Sequence, residues 1–242
     1  MPKGSNVSVS PLKSHCGLQH FDPGIQDIET VRGRLSHVFN LCEHSQDERG
    51  EIEGFIRECF HCVHGARIAH FMPRLLSLRS RHGDLIAAFG LRAATGTRLF
   101  LETYLDHPVE HVLQDRLGTD LRREDVIEVG NLSALYPGAA RWLIVAVTAL
   151  LYSEGYKWVV FTGTSTLRNG FHRLGLRPVE LGGASPDRLP QQERAGWGSY
   201  YDHGPMVMAG DIEQGYRSLL MRRDLAGLLR TSMVSVEQGE QA

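Results

Sequence analysis

The rhythm of polar and apolar positions changes several times along the chain, and each change marks an element. Residues 1–30 are polar, turn-rich and weakly periodic, the pattern of a flexible arm. GRLSHVFNL (33–41) alternates as a strand does, and Ser45 to Glu51 lead into an amphipathic helix running to about Gly65. MPRLLSLRSRHGDLIAAFGLRAA (72–94) reads as two strands joined across the turn His82-Gly83-Asp84. LDHPVEHVLQDRLG is expected to be a helix, N-capped by Asp106 and closed by Gly118. DVIEVGNLSA (125–134) is a strand, and Gly138 to Glu154 a helix stopped by Gly155. KWVVFTGT (157–164) is a buried strand, TLRNGFHRLG (166–175) a helix with Gly175 past its end, and RPVEL (177–181) another strand.

After a Pro/Gly/Asp-rich loop, WGSYYDHGPMVMAG (197–210) is expected to form a late strand pair. DIEQGYRSLLMRRDLAGLLR (211–230) is a final helix, and residues 231–242 a frayed tail. The folded domain is thus expected to span 31–230. Paired strands early and alternating helices and strands later make it α/β (α+β), with a mixed central β-sheet flanked by helices.

Composition narrows the function classes. Hydrophobic residues are 42% and charged residues 22%, enough for a real core. A formal charge of −2 gives no electrostatic reason to expect nucleic acid as a partner. The longest nearly unbroken apolar run, Trp142 to Tyr152, suits a core helix and is too short for a bilayer, so stable membrane insertion is not expected. The first twenty residues lack the apolar stretch of a signal peptide, which implies a cytoplasmic protein. Cys59 and Cys62 form a Cys-x-x-Cys near His61 and His64, but the segment has helical periodicity and reads as a helix face; no metal site is expected.

The informative stretch is EVGNLSALYPGAARWLIVAVTALL, from Glu128 to Leu151. A carboxylate in the otherwise apolar VIEV precedes a small-residue turn that opens a buried helix. Burial raises a carboxyl's pKa toward neutrality and suits it to proton transfer, yet an arginine such as Arg92 could equally hold it as an ion pair. The turn has its own chemistry. Unpaired amides at a helix N-terminus favour an anion, and small residues let the backbone approach it.

Strand, turn, helix, strand and helix in this order, with PGAARWL opening one helix and NGFHRLGL ending the next, resemble the GNAT superfamily of N-acyltransferases. Gly138-Ala139-Ala140 matches the Gly-x-Gly/Ala half of that signature, whereas Leu135 replaces its Gln/Arg. The stretch around Gly90, Arg92 and Glu128 is similar in layout to the acyl-homoserine-lactone synthases, with Asn131 where those enzymes carry an arginine. From about Glu51 to Leu220 the chain resembles the thermostable hemolysins. The matching motifs include LFLETYLD, IEVGNLS, GAARWLI, GYKWVVFTGTSTLRNGFHRLGL and WGSYYDHGPMVMAGDI.

These resemblances imply a GNAT-like fold and transfer of an acyl group from acyl-CoA or a phosphopantetheine-linked thioester, with no metal, to a small amine; an acyl carrier protein is a possible partner. Donor binding would fall to Pro137, Gly138, Ala139, Ala140 and Arg141, with Thr162, Arg168, Asn169 and Arg173 beyond them. Glu128 would be base or substrate-orienting group, and the backbone around Asn131 to Ser133 would polarise the thioester carbonyl. The superfamily's tyrosine acid is Phe171 here, so that role would pass to Tyr200, Tyr201, His203 or to no residue. Arg92, Phe100, Trp197, Tyr201 and His203 are the expected acceptor-side contacts. Two other functions remain open from sequence: a membrane-active lytic protein, as the family name suggests, and a degenerate acyltransferase fold that only binds.

Overall fold

The computed structural model describes residues 40–43, 46–80, 83–118, 120–222 and 225. The expected arm (1–30) and tail (231–242) lie outside these, as do residues 33–39 of the first expected strand. The elements are β1 (Asn40–Glu43), α1 (Gln46–His64), β2 (Arg74–Arg79), β3 (Leu85–Ala93), a 3₁₀ segment at Phe100–Tyr104, α2 (Val109–Leu117) and β4 (Val126–Ala134). They continue with α3 (Pro137–Ser153), β5 (Trp158–Gly163), α4 (Ser165–Arg173), β6 (Val179–Gly183), the short α5 (Gln191–Arg194), β7 (Met206–Asp211) and α6 (Ile212–Leu220).

The seven strands form one mixed sheet in the order β1-β2-β3-β4-β5-β7-β6. β4 and β5 are its parallel neighbours and the other pairs are antiparallel. Helices cover both faces. On one, α3 sets Leu143, Val147 and Leu150 against Phe89, Val129 and Phe161. Its opposite side, Ile144, Val145 and Ala149, meets Leu174, Tyr216 and Leu219. A helix covered on two sides is apolar nearly all round, which is why its sequence looked like a core element. Pro137 occupies its first turn, and Gly155, at φ +79°, releases the chain beyond its end.

On the other face lie two separate clusters. α1 brings Ile52 and Ile56 onto Leu75, Met72 and Ala88. α2 and the 3₁₀ segment bring Val109, Leu113, Leu99 and Leu101 onto Val126, Val160 and Val207. Between them β3 and β4 present Gly90 paired with Gly130. A Cβ at Gly90 would stand 2.4 Å from Met72 Cβ, and one at Gly130 2.2 Å from Met72 Cε, so Met72 fills the bare strip.

Three expectations need correction. The pair over 197–210 is one strand: residues 195–197 and 200–203 form 3₁₀ turns, because Gly198 (φ +53°) and Gly204 (φ +55°) break the extended path. α2 is preceded by Pro108 and has no side-chain cap; Asp106 instead accepts a 2.6 Å hydrogen bond from Arg188 Nη2. The final helix ends at Leu220, with Met221 in a turn; residues 223–224 and 226–230 of its expected span lie outside the described residues. At its start Asp211 accepts from the amide of Gln214 at 2.8 Å.

Candidate active site

β4 and β5 pair from Val126↔Trp158 to Val129↔Phe161 and then part, although β4 runs on to Ala134 and β5 to Gly163. The cause is local. Gly90↔Gly130 is followed by Ala88↔Ser133, so β4 holds one residue more than its partner, a bulge that turns the strand away. Asn131 sits in that bulge at φ +53°, the conformation asparagine tolerates better than other side chains. Its Oδ1 accepts from the amide of Met72 (2.8 Å) and its Nδ2 donates to His70 O (3.3 Å), tying the approach to β2 onto the bulge. Ser133 is buried and donates to Asn131 O at 3.1 Å. The side chains of Asn131 and Ser133 therefore hold the bulge in shape.

Where β4 ends, Tyr136 caps α3 without a side-chain hydrogen bond. Its carbonyl accepts from both Ala139 (3.0 Å) and Ala140 (3.2 Å), and Pro137 has no N–H. The amide of Gly138 has no acceptor among the described residues, and a Cβ there would meet only the Tyr136 ring, at 3.4 Å. One open amide at the positive end of a helix, beside the parting strands, fits an anionic or amide-bearing group. Thr162 stands near the end of β5. On α4, which follows it, Arg168 is half-buried and donates to Glu180 at 2.7 Å, while Asn169 and Arg173 are exposed. Phe171, where the superfamily has a tyrosine, stacks on Phe161 with centroids 4.9 Å apart and belongs to the core.

Glu128 lies on the opposite face, 2% exposed. Its Oε2 accepts from the amide of Phe100 and its Oε1 from that of Leu101, both at 2.9 Å. One carboxylate thus anchors the 3₁₀ segment through two backbone bonds. Arg92 is its partner across the β3–β4 ladder but makes no ion pair with it among the described residues; its influence is through charge. Burial pushes the Glu128 carboxyl up to about 7, against the two amides and Arg92, which favour the charged form.

The anchored segment carries aromatic side chains into a cluster. Phe100 lies 5.9 Å from Trp197, and Trp197 5.2 Å from Tyr200 and 6.0 Å from Tyr201, centroid to centroid. The Tyr104 and Tyr201 hydroxyls are 2.6 Å apart, and burial raises the pKa of both tyrosines. Tyr200 is buried and likewise shifted upward. Trp197 packs against both clusters on this face, and residues 195–204 strap the gap between them. Backbone bonds from Arg67 N to Gly196 O (2.6 Å) and from Ser199 N to His64 O (2.8 Å) help seat the strap, and Ser199 Oγ donates to the same His64 oxygen at 3.3 Å.

Arg92, Phe100, Glu128, Trp197, Tyr200, Tyr201 and His203 thus gather on the α1/α2 face. The turn at 137–141 follows β4, and α4 follows β5 with Arg168 paired to Glu180 of β6 and Asn169 and Arg173 exposed. From sequence His64 came into view only as a neighbour of the Cys-x-x-Cys, and Phe60 and Tyr104 not at all, yet all three belong to the aromatic cluster. Sequence reasoning also passed over buried Glu102, which accepts from the amides of Leu99 (2.8 Å) and Val109 (2.9 Å) and pairs with Arg123 (2.7 Å). Burial acts to raise the Glu102 pKa, but these bonds outweigh it and hold the carboxyl below its ordinary value. A charged residue inside LFLETYL was the available signal. Cys59 and Cys62 lie on α1, and burial pushes the Cys59 thiol up to about 12.

The family model for thermostable hemolysin matches residues 42–216. Solved structures of similar fold include FeeM, an N-acyl amino acid synthase from uncultured soil microbes, with TM-score 0.54, 13% identity, and 77% of this chain and 97% of that one covered. The acyl-homoserine-lactone synthase LasI follows at TM-score 0.51, 8% identity and coverage of 73% and 91%. TofI, in a ternary complex with an inhibitor and MTA, has TM-score 0.50, 15% identity and coverage of 72% and 91%. No curated protein matches by sequence. The fold is therefore the mixed sheet flanked by helices that FeeM, LasI and TofI share.

Proposed function

This chain belongs to the thermostable hemolysin family, and we propose that it is an N-acyltransferase moving an acyl group from an acyl-CoA or acyl-carrier-protein thioester to a small amine. The observation that carries this reading is the parting of β4 and β5 after Val129 and Phe161, with the open Gly138 amide at one side and the Glu128-anchored aromatic cluster at the other. Unpaired strand edges and a free helix amide are complementary to the amide-rich pantetheine arm. Arg141, Thr162, Arg168, Asn169 and Arg173 are the further donor-side candidates. FeeM and LasI, both named as N-acyl or acyl-derived product synthases, share the fold and support the choice of a small amine acceptor over a protein.

In this reading Glu128 works through the segment it holds. Both carboxylate oxygens face backbone amides, so the residue fixes Phe100 and Leu101 and through them the acceptor-side aromatic wall. Arg92, beside it on the ladder, adds positive charge to that wall. Lysis, in this reading, is caused by an amphiphilic acylated product. Among the described residues no helix is long and apolar enough to cross a membrane.

Native mass spectrometry of the purified protein with a panel of acyl-CoAs and acyl carrier proteins tests the donor. A mass shift with one class is expected; no shift with any member overturns the proposal. Red cells incubated with protein freed of small molecules test the source of lysis, and dose-dependent lysis by protein alone favours the membrane-active alternative.

A further inference from the structure

His64, the last residue of α1, has its Nδ1 buried and without a hydrogen-bond partner among the described residues. A buried imidazole nitrogen with nothing to bond is costly, and in native structures such an atom marks strain, a catalytic role or a bound water or ion. Its surroundings are those of the acceptor side. The ring stands edge-on to Tyr200, with centroids 5.2 Å apart, and 5.4 Å from His203, both on the strap; Phe60 of its own helix is 6.1 Å away. The strap is tied to the backbone of this same residue through Ser199, and a Cβ at Gly198 would lie 2.0 Å from His64 O. His64 is thus held against the strap, with exposed His203 beside it.

We propose that His64 is the proton acceptor for the amine, and that His203 carries the proton on to water. This rests on the acyltransferase reading above, and it fills a role that Glu128 is poorly placed to take with both oxygens occupied. In the step, the amine nitrogen forms its bond to the thioester carbonyl carbon and gives one proton to His64 Nδ1. The C–S bond then breaks, the thiolate leaves with the electron pair and is protonated from solvent, and the imidazolium returns its proton through His203. Amide, thiol and neutral imidazole remain, so no other reagent is required. Burial, and then the charge of His203, lower the His64 pKa and keep the ring unprotonated at neutral pH. Among the described residues, the titratable rings set against it are the Tyr200 phenol and the His203 imidazole, both from the strap.

The test follows thiol release from decanoyl-CoA in the presence of mixed amino acids, across pH, for the full chain and two variants. His64→Asn keeps a hydrogen-bonding group near the Nδ1 position but cannot titrate in this range. It is expected to lower kcat by about 10²–10⁴-fold with little change in KM, and to remove the acidic limb of the pH profile. His203→Asn takes away the neighbour that depresses the His64 pKa, so the acidic limb is expected to move to higher pH. That shift also serves if His64→Asn fails to fold, since a structural role alone would not move it. Wild-type turnover with an undiminished His64→Asn, or a limb that stays in place in His203→Asn, overturns the proton-acceptor role and leaves the acyltransferase reading intact. Absence of wild-type turnover, together with absence of any donor mass shift, overturns both.

Discussion

Replacing Glu128 with Gln separates the two forces that act on its carboxyl. Gln keeps one acceptor oxygen but places an amide nitrogen, which cannot accept, opposite the N–H of Phe100 or Leu101. Leaving one buried donor unpaired costs about 1–3 kcal/mol. Against this, Gln carries no charge to bury. The rise of the carboxyl from 4.5 to about 7 means that the folded wild type binds this proton more tightly than the unfolded chain. The stability it contributes is full below 4.5 and is lost as pH rises through about 7, a change of about 3 kcal/mol. At about pH 4.5 the variant is therefore expected to be the less stable by about 1–3 kcal/mol, and by about pH 8 that deficit should vanish or reverse. Urea unfolding of both proteins across this range reads the difference directly. A deficit independent of pH would mean an unshifted carboxyl, and one that widens as pH rises a carboxylate stabilised in its charged form; either result would refute the reasoning.

Three more outcomes follow from the geometry. Gly138→Glu puts bulk and negative charge beside the one open amide of α3 and should weaken acyl-donor binding with little change in melting temperature; unchanged affinity by calorimetry would remove that turn from the site. Gly198→Ala forces a side chain into φ +53° and against His64 O, so a loss of about 1–3 kcal/mol from the backbone alone is expected, together with a shift in Trp197 fluorescence as the strap lifts. Arg123→Ala strands the buried Glu102 carboxylate and should destabilise by about 3–5 kcal/mol in chemical unfolding, a cost expected to shrink in acid as Glu102 becomes protonated.

Much of the framework was legible because it depends on neighbours in the chain. The apolar helix between Pro137 and Gly155, the hairpin of β2 and β3, and the start of the final helix at residue 211 follow from periodicity and local backbone chemistry, and the structure has them close to where the residues place them. Local chemistry misjudged the segment from Trp197 to His203. Its aromatic residues favour a strand, but two glycines with positive φ and a close approach to the carbonyl of His64, some 130 residues earlier in the chain, turn it into a strap. Arg92, Phe100, Glu128, Trp197, Tyr200, Tyr201 and His203, put forward from sequence as candidates, gather on one face. What each touches there was not legible. Whether Glu128 meets an arginine or two amides depends on where the chain returns after β3, and Asn131 is a tether only because Met72 reaches the bulge. The unbonded nitrogen of His64 exists only once α1, the strap and the aromatic wall have closed around it. Such roles are set by long-range contacts between segments whose own sequences carry no record of one another.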